Sequence, residues 1–241
     1  MLALFTDFGT GDPYAGQLHA VLARLAPAVP RIDLLHQVPA FDVRAGAYLL
    51  PALASQFPTP TVFLCVVDPG VGGSRAPMMV KADKHWYVGP DNGLFTLVAR
   101  RAAACVCHVI RWRPAELSMS FHGRDLFAPC AARLALGEMP EAEAGVLSVP
   151  NGDWPDDWPQ VIYIDHYGNA MTGLRAQVMP EGQRLRVGTK VLSHAPVFAQ
   201  APPGAAFWYV NSLGLVEIAC NQASAAHQLG LRLGDRVAIA N

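Results

Sequence analysis

Short apolar runs of strand length alternate with helix-patterned segments down to about residue 136, and this alternation constrains the fold more than any other feature. Leu2–Thr6, Arg31–Leu35, Thr61–Val67 and Cys105–Ile110 read as strands, with Pro77–Ala82 and His85–Val88 as a hairpin. Between them, Ala15–Leu25, a segment from the N-cap Asp42 through Leu53, Gly93–Arg101 and Arg124–Leu136 read as helices, with Pro51 expected to bend or end the second. Strands separated by helices pair through crossovers. The expectation is therefore an α/β fold whose mostly parallel sheet is flanked by helices. Near residue 140 the pattern changes. Pro140, Pro150, Pro155 and Pro159, with Gly145, Gly152 and the run Trp154-Pro155-Asp156-Asp157-Trp158-Pro159, read as an ordered linker. Beyond it lie short β runs: Val161–Asp165, Ala170–Leu174, Leu185–Val187, Lys190–Leu192, Ala206–Val210, Leu215–Ala219 and Arg236–Ala240. Turn signals such as Glu181-Gly182 and Pro203-Gly204 separate them, as in a small antiparallel β domain. The expected boundaries are 1–145 for the α/β domain, 146–159 for the Pro/Trp-rich linker and 160–241 for the β domain.

Composition removes several classes of function. The net charge is −1 with no long basic run, which argues against electrostatic binding of nucleic acid. The N-terminus has no basic flank and reaches Asp7 within seven residues, unlike a signal peptide. No apolar run approaches the roughly 18 residues of a membrane span. Five cysteines without a Cys-x-x-Cys pair read as reduced thiols, mostly buried, in a cytoplasmic protein. Eight histidines without a His-x-x-x-His pair predict no metal site.

Five segments could carry chemistry, one of them Asn211-Ser212-Leu213-Gly214 with Glu217 through Gln222, which offers small polar groups and free backbone near a strand end. Val66-Val67-Asp68-Pro69-Gly70-Val71-Gly72-Gly73-Ser74-Arg75 runs from a strand into a glycine-rich turn. Strand ends in α/β sheets open into crevices, so Asp68 stands where a binding or catalytic carboxylate would stand, with Arg75 near enough to fold back on it. Taken alone, Asp68 reads more readily as a turn residue capping the backbone. Thr6-Asp7-Phe8-Gly9-Thr10-Gly11 lacks the third glycine of a dinucleotide fingerprint and the lysine of a P-loop. Asp7 there is either a helix cap or a grip on vicinal hydroxyls, whose two donors match its two oxygens. His122, in Ser118-Met119-Ser120-Phe121-His122-Gly123-Arg124-Asp125, is a loop histidine suited to proton exchange or to a simple hydrogen bond. Asp165-His166-Tyr167-Gly168-Asn169 offers an aromatic to stack on a base and an amide to read its edge, or else a hairpin corner. Asp91 or Asn92 is expected to cap the helix that follows.

Together these segments resemble the S-adenosyl-L-methionine (SAM) hydroxide adenosyltransferase family, hydrolytic relatives of the fluorinase and chlorinase enzymes. The resemblance rests on Thr6-Asp7-Phe8-Gly9, Val67-Asp68-Pro69-Gly70-Val71-Gly72, Pro90-Asp91-Asn92-Gly93-Leu94, Phe121-His122-Gly123-Arg124-Asp125, Asp165 through Asn169, and Asn211-Ser212. It implies an N-terminal α/β domain and a C-terminal β-barrel-like domain. It also implies a homotrimer with each site between one subunit's first domain and its neighbour's second. SAM would be the substrate, adenosine the product, and no cofactor would be required. Asp7 would hold the ribose hydroxyls, Phe41 and Tyr167 would pack on sugar and adenine, and Asn169 would bond the base. Asp165 would meet the methionine ammonium, Ser212 its carboxylate, and the Cys220–Gln222 backbone the adenine edge. Leu213 departs from the arginine that the fluorinase branch carries after Ser212.

Asp68, Arg75 and His122 would be catalytic. The halogenating branch has tyrosines at the positions of Asp68 and His122 and a serine at Gly123. A carboxylate repels halide strongly in a dry pocket but orients water well. The expected reaction is attack of water or hydroxide at C5′ with methionine leaving. His122, if neutral, is the better-matched proton acceptor, while Arg75 could stabilise hydroxide. The alternatives are a non-catalytic nucleoside- or SAM-binding regulatory protein and, less favoured, a SAM-dependent halide transferase.

Overall fold

The computed structural model describes residues 1–148, 154–180 and 182–240. Pro150 and Gly152 of the expected linker, Glu181 of one expected turn and Asn241 lie outside the described residues. The chain divides into two compact units, Met1–Pro51 with Phe57–Asp153 and Ala52–Gln56 with Trp154–Asn241.

Through residue 148 the elements are β1 (Leu2–Thr6), α1 (Pro13–Leu25), β2 (Arg31–Leu35), α2 (Val43–Ala54), β3 (Val62–Val66), β4 (Pro77–Ala82), β5 (His85–Pro90), α3 (Thr96–Arg101), β6 (Cys105–Ile110), α4 (Ala128–Ala135) and β7 (Ala142–Gly145). They build one seven-stranded sheet in the order β2-β1-β3-β5-β4-β6-β7. β2, β1, β3 and β5 pair in parallel, whereas β4 runs antiparallel to both β5 and β6, and β7 antiparallel to β6. Five strands therefore point one way and two the other, which is the mostly parallel sheet expected of the alternation.

The residue pattern explains the order. β1 and β3 are buried at every position, as strands covered on both faces must be, and they lie inside the sheet. β2 carries Arg31 and Asp33 and forms an edge. Leu18 and Leu22, one helical turn apart on α1, pack with Leu2, Leu4, Leu64, Leu126 and Phe127 in one core.

At four places the structure departs from or sharpens the local expectation. Pro51 lies inside α2 and does not end it, since the helix runs on to Ala54, close to the expected end at Leu53. α3 starts only at Thr96, since Gly93 has a φ of 105° that no helix residue adopts. The helix expected from Arg124 opens as a π-helical turn, Gly123–Phe127, before α4. β7 falls where a linker was expected to begin, and its pairing with β6 supplies what Ala-Glu-Ala-Gly lacks in strand propensity.

The second unit contains β8 (Trp158–Ile164), β9 (Ala170–Arg175), β10 (Arg184–Val187), β11 (Lys190–Leu192), β12 (Ala206–Val210), β13 (Leu215–Cys220), α5 (Ala225–Leu229) and β14 (Val237–Ala240). β12-β13-β9-β8 and β11-β10-β14 form two antiparallel sheets. Isolated bridges Gln160↔Arg236 and His194↔Trp208 link the sheets at both ends. The two sheets share one core of Val161, Leu185, Trp208, Val216, Ile218 and Val237. α5 was not anticipated, although its brackets are legible. Ser224 caps it by accepting from the His227 amide at 3.1 Å, and Gly230 ends it at a φ of 67°.

Candidate active site

β3 delivers Asp68 to the mouth of the sheet. The Asn92 amide donates to the Val67 carbonyl at 2.8 Å and so braces the strand end immediately before Asp68. Asp91 or Asn92 was expected to cap α3. Instead Asn92 makes this brace, and Asp91 is buried and accepts from the Ser148 amide at 3.0 Å and hydroxyl at 2.7 Å.

The Asp68 carbonyl closes the turn by accepting from the Val71 amide at 3.2 Å, while its side chain pairs with Arg75. Arg75 Nε donates to Asp68 Oδ1 at 3.1 Å and to Oδ2 at 3.0 Å, and Arg75 Nη2 also donates to Oδ2. The pair is almost dry, with side-chain exposures of 4% for Asp68 and 10% for Arg75. The guanidinium lies over the Phe127 ring, 5.3 Å from its centroid. Asp68 is therefore not the backbone-capping residue of a plain turn.

Gly72 has a φ of 79°, and a Cβ there would stand 2.7 Å from the Met119 carbonyl oxygen. The glycine stretch thus seats the Asp68–Arg75 loop against the loop that leads to His122. That second loop is tied down by Arg124, which pairs with Asp125 and donates to Gln17 Oε1 at 2.9 Å, and by Ser118, whose amide donates to Asp125 at 3.0 Å. Phe8, Tyr14 and Phe121 add a three-ring cluster with centroids 5.5–5.7 Å apart.

His122 Nδ1 lies 3.0 Å from Arg75 Nη2. A guanidinium has only donors, so Nδ1 accepts, and neutral His122 carries its proton on Nε2. Burial lowers the His122 pKa, and the Arg75 charge lowers it further, against a smaller opposing pull from Asp68. The imidazole is accordingly neutral at pH 7. In an NMR titration the His122 midpoint is expected below the ordinary 6.5 and is expected to rise in Arg75→Gln, which removes the cation. An unchanged midpoint in that variant would break the assigned pairing.

Asp7 neither caps α1 nor stands free. Its Oδ2 accepts from the Phe41 amide at 3.0 Å. Burial raises its pKa, only partly offset by that bond, and the Asp68 charge adds to the rise. Phe41, 75% exposed, sits at a φ of 65°, a conformation costing about 1–3 kcal/mol that persists where contacts impose it. The trio, Asp7 and Phe41 all belong to the first unit.

The second unit contains a cavity of about 750 Å³ lined by Asp165, Tyr167, Asn169, Phe198 and Tyr209, with the segment from Cys220 to Ser224. Asp165 organises its corner: Oδ1 accepts the Tyr167 and Asn169 amides at 2.9 and 2.8 Å, and Oδ2 accepts from Asn169 Nδ2 at 2.9 Å. The hairpin corner between β8 and β9 is thus present, and it presents side chains to the cavity. A Cβ at Gly168 would meet Ser224 Oγ at 2.0 Å, so the corner can close on Ser224 only with glycine there. Asn169 Oδ1 is buried without a hydrogen-bond partner among the described residues. Such an acceptor is costly unless something completes it.

Cys220 and Gln222 line the cavity, Gln222 at a φ of 58°. Ser212 does not. It is exposed in the turn between β12 and β13, where Asn211 Oδ1 accepts the Leu213 and Leu215 amides at 3.0 Å. Phe198 and Tyr209 were not among the residues expected at a site, whereas Glu217 lay in a polar segment that was. Tyr209 follows core residue Trp208 on β12 and so points to the opposite face, a period-two signal that was available. Its hydroxyl donates to buried Glu217 Oε1 at 2.7 Å, which fixes the ring.

Comparison with known proteins bears on both units. The models for the N-terminal and C-terminal domains of SAM hydroxide adenosyltransferase match residues 2–144 and 159–238. An (R)-S-adenosyl-L-methionine hydrolase of Salinispora arenicola is 38% identical, with 99% of this chain and 97% of that protein aligned. A hydrolase of the same name from Thermus thermophilus is 40% identical over 95% of each. Among solved structures, an uncharacterized conserved protein from Thermotoga maritima superposes with a TM-score of 0.86 at 31% identity over the whole of both chains.

Proposed function

The chain belongs to the SAM hydroxide adenosyltransferase family, and from that membership we propose that it hydrolyses SAM to adenosine and L-methionine. The oxygen of water forms the new bond to C5′, the C5′–S bond breaks with its electron pair returning to sulfur, and one proton is released. The sulfonium is already an excellent leaving group, so the protein's task is to hold a poor nucleophile in line with that bond, which positioning accelerates strongly. The observation that carries the reading is the dry Asp68–Arg75 pair with His122 on its flank.

That arrangement supports a refined division of labour. Arg75 spends Nε and Nη2 on Asp68 and His122, which leaves Nη1 for the nucleophile. With Nδ1 occupied, neutral His122 offers an N–H from Nε2. Two donors stabilise hydroxide as it forms, and Asp68 holds the guanidinium in place. His122 in this tautomer is a donor to the nucleophile, in contrast to the proton acceptor its type suggested.

For binding, Asp7 takes the ribose hydroxyls, Phe41 and Tyr167 enclose sugar and base, and the orphaned Asn169 Oδ1 accepts from the adenine amino group. The Cys220–Gln222 backbone meets the adenine edge, Asp165 the methionine ammonium and Ser212 its carboxylate. The domains 1–145 and 160–241 contribute these two sets, and the proposed assembly is a cytoplasmic homotrimer in which neighbouring subunits complete each other's sites. Phe41 and Tyr167, 75% and 74% exposed in the single chain, are apolar surface that such an assembly would cover. Among the described residues no helix is long and apolar enough to cross a membrane.

Turnover of SAM in ¹⁸O-labelled water is expected to place the label at O5′ of adenosine, with the same product in the presence of chloride. Unlabelled adenosine would sink hydrolysis, 5′-chloro-5′-deoxyadenosine would make the protein a halide transferase, and binding without any product would make it a regulatory protein.

A further inference from the structure

We propose that His19, Asp33 and His36 form a binding site for one divalent transition-metal ion, zinc above all, that braces the loop carrying Asp7. The inference is independent of the reaction assigned above. His19 comes from α1, Asp33 from β2 and His36 from the residue just past β2. Their ligand atoms all lie within 4.8 Å of one another. His19 Nε2 is 2.6 Å from Asp33 Oδ1, and His36 Nε2 is 3.0 Å from the same oxygen.

The decisive observation is at His36. Its side chain is only 5% exposed, yet Nε2 makes no hydrogen bond among the described residues. The 3.0 Å approach to Asp33 is short enough in distance but off line in direction. An ion bound to both atoms would lie along the Nε2 lone pair, away from the line joining nitrogen to oxygen, so a shared ion accounts for closeness without a bond. It would also give that buried nitrogen an in-line partner, which Asp33 beside it does not supply.

The surroundings fit this use. His36 Nδ1 stands 2.7 Å from Thr6 Oγ1. When Nδ1 donates its proton there, Nε2 keeps the lone pair that a metal needs, with the orienting partner that ligand histidines usually have. Two imidazoles and one carboxylate make a three-ligand set that suits zinc and leaves a fourth position for water. Calcium and magnesium prefer all-oxygen sites. His19 and Asp33 are partly exposed, so an ion reaches the site from solvent while His36 forms its buried floor.

Such an ion would act through position. The His36 carbonyl accepts from the Gly9 amide at 2.6 Å, and the Thr6 carbonyl accepts from the Val38 amide at 3.2 Å. These bonds flank Asp7 on both sides, so clamping His36 to α1 and β2 stiffens the loop that presents Asp7.

The test uses the untagged full chain carrying Cys105→Ser and Cys107→Ser, because those two thiols, 3.9 Å apart and accessible, would themselves capture zinc. Calorimetric titration is expected to show one zinc ion per chain, and cobalt is expected to give visible d–d bands. Tm is expected to rise with zinc concentration, as mass action requires. His19→Ala and Asp33→Asn, both at partly exposed positions, are each expected to weaken binding by roughly a hundredfold while circular dichroism stays unchanged. No stoichiometric binding by the parent chain, or binding that survives both substitutions, overturns the site.

Discussion

Asp68→Asn is expected to lower kcat for SAM hydrolysis by about 10²–10³-fold, the usual effect of disturbing one preorganised electrostatic group, while KM changes by no more than a few-fold. The carboxylate touches Arg75 through both oxygens, and the amide cannot accept two parallel N–H bonds from the guanidinium. Arg75 then loses the orientation that presents Nη1 to the nucleophile. The same change leaves a cation that is only 10% exposed without its partner, and breaking a buried pair in this way costs about 3–5 kcal/mol of stability. The stacking of Arg75 on Phe127 and its bond to His122 place the expected loss at the lower end of that range. Stability and catalysis are separable in a second variant. Asp68→Asn with Arg75→Met removes both charges, so urea denaturation is expected to show most of the stability restored while the rate stays low. A double variant that recovers the rate, or an effect confined to KM, would remove the pair from the chemistry.

Asn169→Ala is expected to raise KM for SAM by roughly 10–100-fold, the equivalent of a hydrogen bond worth about 1–3 kcal/mol, with kcat within a few-fold. The substitution deletes the buried Oδ1 proposed to meet the adenine amino group, whereas Asp165 keeps two backbone donors and its corner stays folded. Because Asn169 and Asp68 lie in different units, the two variants also test how sites are shared. If neighbouring copies complete each other's sites, co-refolding equal amounts of the two variants leaves about a quarter of the sites with both residues intact, and activity at low SAM rises above that of either parent. No recovery would mean that each chain builds its site from its own two units.

Most of the secondary structure was legible because it rests on periodicity, which is local. β1, β2, β4, β6, β11 and β12 begin and end where apolar alternation and turn residues say they should. β7 was not legible, since its four residues have little preference for a strand and become one only beside β6. The arrangement of the second unit as two antiparallel sheets was invisible in the residues, because pairings such as β10 with β14 join strands distant in sequence. Site residues divide the same way. Asp68 and Arg75 stood out at a strand end and a glycine turn, but only the family's set of motifs marked them as a site rather than a turn. Asn92 looked like a helix cap because Asn before a helix usually is one, and its bond to the Val67 carbonyl follows from β3 and β5 lying side by side.

The sequence by itself determined an α/β half followed by a β half, a carboxylate at the end of β3 with an arginine within reach, and the set of motifs that marks the family. Residue chemistry and short-range spacing are enough for that. Only the tertiary structure decided that His122 turns Nδ1 toward Arg75, 47 residues away in the chain, that Asp7 holds the amide of Phe41 across 34 residues, and that His19 meets Asp33 across 14. Such partners are chosen by how the sheet orders its strands and which loops pack together, and no local pattern encodes that choice.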